Sequence, residues 1–325
     1  MKDIPLLEVE NLAIDVLGER GIGRAVDGVS FTLRRGETLG LIGESGSGKS
    51  LTCLSIMRLN PHPGTRIAGG SVRFEGCDLL LLEKEAMRAY RGRRIAMVLQ
   101  DPMTALNPVF TVGDQIGEAL TLHRGLRGAA REEAALDLLH RLRVPDPSHA
   151  LRSYPHELSG GMRQRVVSAI ALAGGPSLLI ADEPTTALDV TVQAAYLRLL
   201  RRLQREAGLA VLFVTHDLGA IARVCDRVAV MYGGRIVETA DVATIFRAPQ
   251  HPYTQALLRS LPNVESRPER LDPIPGQPPS VFAPKRGCPF APRCAEAVAW
   301  CSTEAPPETW PAPDHALRCW ARMAA

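Results

Sequence analysis

Apolar residues recur in two rhythms along the first three-quarters of the chain. Leu7-Glu8-Val9-Glu10 and Ala25-Val26-Asp27-Gly28-Val29-Ser30-Phe31 predict strands of one sheet, with glycine-rich turns between them. Glu37-Thr38-Leu39-Gly40-Leu41-Ile42 predicts a buried strand running into a glycine-rich loop. Leu51 to Leu59 then predicts a helix that ends at Asn60-Pro61. Arg94 to Leu99 predicts another strand, and residues from about 112 to 157 read as helical, most clearly over Ala130 to Leu142. Apolar runs at Leu178–Ala181 and Ala210–Val214 predict two buried strands around a helix from about Thr191 to Ala207, which Gly208 stops. Strands that alternate with helices imply an α/β fold around a parallel sheet. A hairpin follows, Val228–Met231 and Arg235–Val237 joined at Gly233-Gly234.

The rhythm then fades. Fifteen of the 25 prolines lie from Pro249 onward, which places a boundary between residues 1–250 and an irregular, cysteine-bearing segment over 251–325. The chain has 325 residues, 46% of them hydrophobic and 22% charged, enough for a substantial core and unlike collagen, a coiled coil or a disordered chain. A formal charge of +3 gives no argument for nucleic acid. Met1-Lys2-Asp3-Ile4-Pro5 lacks the apolar core of a signal peptide. The longest uncharged run, Val166 to Ala181, is too short to cross a bilayer and is broken by Gly174-Gly175-Pro176. The expectation is a soluble, cytosolic chain that reaches a membrane only through a partner. Its seven cysteines are then reduced thiols or metal ligands.

Only four lysines occur, at Lys2, Lys49, Lys84 and Lys285, and one of them closes a motif. Gly43-Glu44-Ser45-Gly46-Ser47-Gly48-Lys49-Ser50 fits G-x-x-x-x-G-K-[ST] between a predicted strand and a predicted helix. Glycines let successive N–H groups curl around phosphate oxygens, and the helix N-terminus adds positive partial charge. Lys49 would reach the β and γ phosphates, and the Ser50 hydroxyl would ligate Mg²⁺. Downstream, Asp182 ends an apolar strand, where it can hold Mg²⁺ through water. Glu183 follows it, where it can act as general base toward water.

With these residues in hand the chain resembles the nucleotide-binding subunit of ATP-binding cassette transporters. Leu158-Ser159-Gly160-Gly161-Met162-Arg163-Gln164 matches the family's signature motif, and Gln100 in Val98-Leu99-Gln100-Asp101-Pro102 its glutamine loop. Ala187-Leu188-Asp189 matches the D-loop and Thr215-His216-Asp217 the switch histidine. Each occurs once, in the family's order. By itself, Ser159 before Gly160 and Gly161 reads as an ordinary N-cap. The resemblance implies instead that Ser159, Gly160 and Gly161 bind the γ-phosphate of ATP held by another subunit. It implies that Gln100 contacts Mg²⁺ or the water, that His216 contacts the γ-phosphate and helps position the water, and that Asp189 takes part in binding the nucleotide. It further implies a P-loop NTPase fold with a β-subdomain, a parallel-sheet core and a helical subdomain over about 101–165. The partners it implies are a second ATPase subunit, expected as a paralogue, two transmembrane permease subunits and, indirectly, an extracytoplasmic solute-binding protein. The chain would then sit peripherally on the cytoplasmic face of the cell membrane.

One departure concerns the base. The family stacks an aromatic side chain on adenine near residues 12 to 18, yet no Phe, Tyr or Trp precedes Phe31, and Val16 takes that place.

Cys53, Cys77 and Cys225 fall in or beside predicted elements and are expected as buried structural thiols. Cys288, Cys294, Cys301 and Cys319 sit in the Pro-rich segment, with little apolar surface to fold it. Four thiolates suit zinc or an iron–sulfur cluster. His251-Pro252-Tyr253-Thr254-Gln255-Ala256-Leu257-Leu258 and Ile274-Pro275-Gly276-Gln277-Pro278-Pro279 resemble the C-terminal extension of dipeptide and oligopeptide importer ATPases, in which a [4Fe–4S] centre is known. The function expected is ATP hydrolysis coupled to peptide import. An importer of nickel or another small solute, a non-transport cassette ATPase, and a degenerate cassette that holds ATP without turnover stand as rivals.

Overall fold

A computed structural model describes residues 5–186, 188–260, 273–283 and 285–323. The first half carries β1 (Leu7–Gly18), β2 (Gly21–Leu33), β3 (Thr38–Ile42), α1 (Lys49–Ile56), β4 (Thr65–Phe74), β5 (Cys77–Asp78), α2 (Lys84–Arg88), β6 (Ile95–Val98), α3 (Pro102–Ala105), α4 (Val112–Arg124), α5 (Gly128–Arg141) and α6 (Pro147–Arg152). Then follow α7 (Gly160–Leu172), β7 (Leu178–Asp182), α8 (Val190–Ala207), β8 (Ala210–Val214), α9 (Leu218–Val224), β9 (Arg227–Tyr232), β10 (Arg235–Asp241), α10 (Val242–Arg247), α11 (Pro252–Arg259), β11 (Thr309–Ala312) and β12 (His315–Leu317).

These elements form two compact units. The first comprises the residues up to Leu6, Leu33–Thr38 and Leu81–Val214. Its strands run parallel in the order β6, β7, β8, with Ile95 opposite Leu178 and Leu178 opposite Ala210. Every residue of β7 and β8 is buried, as expected for parallel strands covered on both faces. The single helical stretch expected over 112–157 divides into α4, α5 and α6. A capping box between Thr111 and Asp114 opens α4, and Pro145 and Pro147 separate α5 from α6.

The second unit comprises Leu7–Thr32, Leu39–Leu80 and Thr215–Ala325. It holds an antiparallel sheet in the order β2, β1, β4, β5 and a run of strands in the order β11, β12, β10, β9, β3. In that run β3 and β9 are parallel, with Leu39 opposite Arg227, and the other pairs are antiparallel. The hairpin turn expected at Gly233-Gly234 joins β9 to β10.

The tail departs from expectation. Far from burying little, it places β12 beside β10 and buries Phe290, Cys301, Ala316, Leu317 and Cys319. The ring of Phe290 meets Tyr232 edge-on at 5.2 Å and Tyr253 at 5.4 Å. Glu238 of β10, itself buried, accepts from the Gln250 and His251 backbone N–H groups at 2.7 and 3.0 Å and from His315 Nε2 at 2.9 Å. Isolated apolar residues among prolines carry no periodicity, so this packing leaves no pattern in the sequence. Cys53 and Cys225 are buried as expected, whereas Cys77, in the two-residue strand β5, is only half-buried.

Candidate functional site

In the second unit β3 delivers the chain into the loop Gly43–Gly48, and α1 leaves it at Lys49. Gly43 and Gly48 take φ of 152° and 104°, a region that L side chains rarely adopt. A Cβ on Gly43 would overlap the Met231 carbonyl oxygen, and one on Gly48 would lie 2.9 Å from the Ala25 carbonyl oxygen. No side chain caps the N-terminus of α1. The Lys49 side chain turns back into the loop, donating to the Gly43 oxygen at 2.7 Å, the Glu44 oxygen at 3.0 Å and Ser47 Oγ at 3.4 Å. A tight ring of backbone with a buried ammonium at its centre fits an anion of several oxygens.

The loop is gripped from the tail, which the sequence did not disclose. The Glu44 N–H donates to Tyr253 Oη at 2.9 Å. Arg293 donates through Nη1 and Nη2 to the two carboxylate oxygens of Glu44 at 2.8 and 3.1 Å, and through Nη1 to Tyr232 Oη at 3.0 Å. Burial pushes the Tyr232 and Tyr253 phenols above their ordinary pKa, so both remain protonated. His251 caps α11, its Nδ1 accepting from the Tyr253 N–H at 3.0 Å. Burial, reinforced by Arg322, lowers its pKa to about 3 and keeps the ring neutral. Of the eight loop residues expected to hold nucleotide, Glu44 is therefore committed to the tail through both its amide and its carboxylate.

In the first unit Asp182 ends β7 and is buried. Glu183 follows with φ of 48°, unusual for a non-glycine residue, and its N–H donates to the Val214 oxygen at 2.8 Å. Gln100 Nε2 donates to Glu183 Oε2 at 3.3 Å, and Thr186 Oγ1 donates to the same oxygen at 3.0 Å. The structure thus joins two residues, Gln100 and Glu183, that lie 83 positions apart. Ser159 is exposed and caps α7, accepting from the Met162 N–H at 3.4 Å. Gly161 lets that helix meet α8, since a Cβ there would lie 2.6 Å from Val192 Cγ1. Asp189 caps α8, its Oδ1 accepting from the Thr191 and Val192 N–H groups at 3.1 and 3.0 Å. Ala187 of the expected D-loop lies outside the described residues. In the second unit His216 is exposed just before α9, which Asp217 caps.

Residues 26–186 match the ABC transporter family, and residues 237–301 match the oligopeptide/dipeptide transporter C-terminal region. The chain is 51% identical over 316 residues to the probable peptide ABC transporter ATP-binding protein y4tR of Sinorhizobium fredii, spanning 97% of this chain and 94% of that protein. The chain belongs to the ATP-binding cassette transporter family. It is 47% identical to the dipeptide transport ATP-binding protein DppD of Bacillus subtilis over 97% of this cassette chain and 94% of that protein. Among solved structures, the dimeric post-hydrolysis state of the ATP-binding cassette MJ0796 bound to ADP and Pi is 27% identical, with a TM-score of 0.65 over 73% of this chain and 98% of that one. The cassette is therefore an ATPase of P-loop type, as the motifs implied.

Among the described residues no group of three or more His, Cys, Asp or Glu side chains is arranged to hold a metal ion. Cys288, Cys294, Cys301 and Cys319 nonetheless share a neighbourhood. Burial pushes the Cys288 thiol up to about 11, and the charges of Cys301, Cys319 and Cys294 add to that rise. Burial likewise raises Cys294 and Cys319. Among the described residues no helix of the cassette is long and apolar enough to cross a membrane.

Proposed function

We propose that this cassette binds Mg-ATP and hydrolyses it to power the import of di- or oligopeptides through two transmembrane permease subunits. The observation that carries this reading is the phosphate cradle around Lys49, gripped by a tail of the oligopeptide/dipeptide transporter type. The relatives' names, which specify peptide and dipeptide transport, favour peptides over nickel or another small solute.

In this reading the backbone of Gly43–Gly48 and the Lys49 ammonium neutralise the β and γ phosphates. Ser50, Gln100 and Asp182 would hold Mg²⁺, which would supply positive charge to offset that of the phosphates. Glu183 takes the proton from the attacking water, and the Gln100 amide orients its carboxylate. His216 steadies the γ-phosphate. Ser159, Gly160 and Gly161, at the N-terminus of α7, serve the nucleotide of a second ATPase subunit, and Asp189 lies beside them. The dimeric form of MJ0796 supports a two-subunit arrangement; a paralogue is the partner proposed for this chain. The cassette works at the cytoplasmic face of the cell membrane and receives peptides through an extracytoplasmic binding protein. Elemental analysis after anaerobic purification tests the metal expected on Cys288, Cys294, Cys301 and Cys319: stoichiometric iron or zinc supports it, and the lack of both removes it.

The mechanism is tested by Glu183→Gln in the reconstituted transporter, which should bind ATP normally while turnover falls at least a hundredfold. Turnover within threefold of the unaltered protein would remove Glu183 from the role of base. Uptake of labelled dipeptide into proteoliposomes, against a nickel chelate as control, tests the cargo.

A further inference from the structure

Val16 leaves the end of β1 without an aromatic ring, yet the structure brings one there from the far end of the chain. Phe282 lies against the tip of the β1–β2 pair, so close that a Cβ on Gly18 would stand 2.9 Å from its Cζ and one on Gly23 2.9 Å from its Cδ1. Two glycines therefore form the seat of a half-buried ring. The face of the sheet is fixed by its neighbours. Asp15 and Arg24 pair across the strands at 2.6 Å, and Arg66 joins Asp15 at 3.0 Å, so these side chains share one face. Side chains alternate along a strand, which puts Val16 on the same face as Gly18 and Gly23, opposite that of Asp15 and Arg24; the Cβ directions of the two glycines point at Phe282.

The segment bearing the ring also leads to the phosphate loop. The Arg24 N–H donates to the Val281 oxygen at 2.9 Å, tying the segment to β2. Lys285 Nζ donates to the Gly233 oxygen at 2.5 Å, and the next residue's N–H, that of Gly234, donates to the Ser47 oxygen at 3.1 Å. Three Cα steps from Phe282 to Lys285 span at most about 11 Å. Phe282 at the tip of the β1–β2 pair and Lys285 at the turn that touches the loop are thus three positions apart in the chain and lie within a single compact unit.

We propose that Phe282, supplied by the C-terminal extension, is the ring on which the purine base of the bound nucleoside triphosphate stacks. This rests on the nucleotide reading above. The flat face of a purine stacks on any aromatic ring, and this one is pinned in place before the ligand arrives.

The test compares two ligands on the full-length chain by calorimetry, ATP and inorganic tripolyphosphate, which lacks the base. Phe282→Ala should weaken ATP binding about tenfold and leave tripolyphosphate within twofold. Adding Val16→Tyr should return the affinity for ATP, since it restores a ring on the same face. Unchanged ATP affinity in Phe282→Ala would overturn the proposal. Equal weakening of both ligands would also overturn it, marking the ring as a mere prop for the loop. If the unaltered chain bound tripolyphosphate but not ATP, or neither, the nucleotide reading itself would fall, an outcome separate from a null effect of Phe282→Ala.

Discussion

Replacing Arg293 by alanine isolates the grip of the tail on the phosphate loop. The side chain is 6% exposed and makes five hydrogen bonds, two to Glu44 and one each to Tyr232 Oη and the Pro275 and Ile274 oxygens. Removing one member of a buried ion pair costs about 3–5 kcal/mol, because the other charge is left without its partner. Glu44 is 22% exposed and can regain some water, so the lower end applies, about 3 kcal/mol. For a unit of this size that is a fall in Tm of about 6–12 °C. Trp300, Trp310 and Trp320, the only tryptophans, all lie in the extension, so their emission follows its unfolding directly. Because Glu44 also sits in the loop, KM for ATP should rise while the protein is still folded. Arg293→Lys should not rescue, since an ammonium cannot serve both carboxylate oxygens in one plane. Glu44→Gln in the Arg293→Ala background should recover part of the loss, with a coupling of about 1–3 kcal/mol. A single-variant loss under about 0.5 kcal/mol, or strict additivity in the cycle, would refute the idea that this pair fastens the loop.

Acid should weaken the fold through His251. Its pKa in the folded chain is about 3 against an ordinary 6.5, so the unfolded state binds more protons between those values. Stability then falls as pH drops from about 6.5 toward 3, by up to about 1.4 kcal/mol per pH unit. His251→Asn, which keeps an acceptor for the Tyr253 N–H, should flatten urea-denaturation midpoints between pH 6 and about 4.5, and an unaltered slope would show that the ring is not the titrating group. Ser159→Ala removes one weak cap and should cost about 1 kcal/mol or less. If transporter ATPase activity falls no further than that loss of fold explains, Ser159 is a helix cap and nothing more. Gly43→Ala should cost about 1–3 kcal/mol and abolish measurable ATP binding, because its methyl group meets the Met231 carbonyl oxygen. Retained binding would mean that the loop has another conformation to adopt.

What was legible in the sequence follows the range of the interactions. β3, β7 and β8 are short strands buried along their whole length, and each announces itself as a run of apolar residues. The phosphate loop is legible because its geometry needs glycine and lysine at fixed spacing within eight residues. By contrast β4 buries only Val72 and Phe74 of its ten residues, so no alternation marks it. Glu44 and Arg293 are 249 positions apart, and Glu238 and His315 are 77 apart. Neither residue of either pair carries a local mark of its partner. Gln100 and Glu183 were legible only as separate motifs, and the hydrogen bond between them came from the fold.

The extension therefore does not behave as an appendage to a finished cassette. Cut the chain at residue 250, and the buried carboxylate of Glu238 loses the His251 N–H and the His315 ring, two of its three donors. Tyr232 loses the rings of Tyr253 and Phe290, and Glu44 loses both the phenol that accepts its N–H and the guanidinium that neutralises it. A buried charge stripped of its donors costs several kcal/mol, comparable with the whole margin by which a domain stays folded. The loop that needs the most exact backbone is thus held by the residues that look least structured in sequence. Proline suits that task, because a segment stiffened before folding gives up less entropy when it docks.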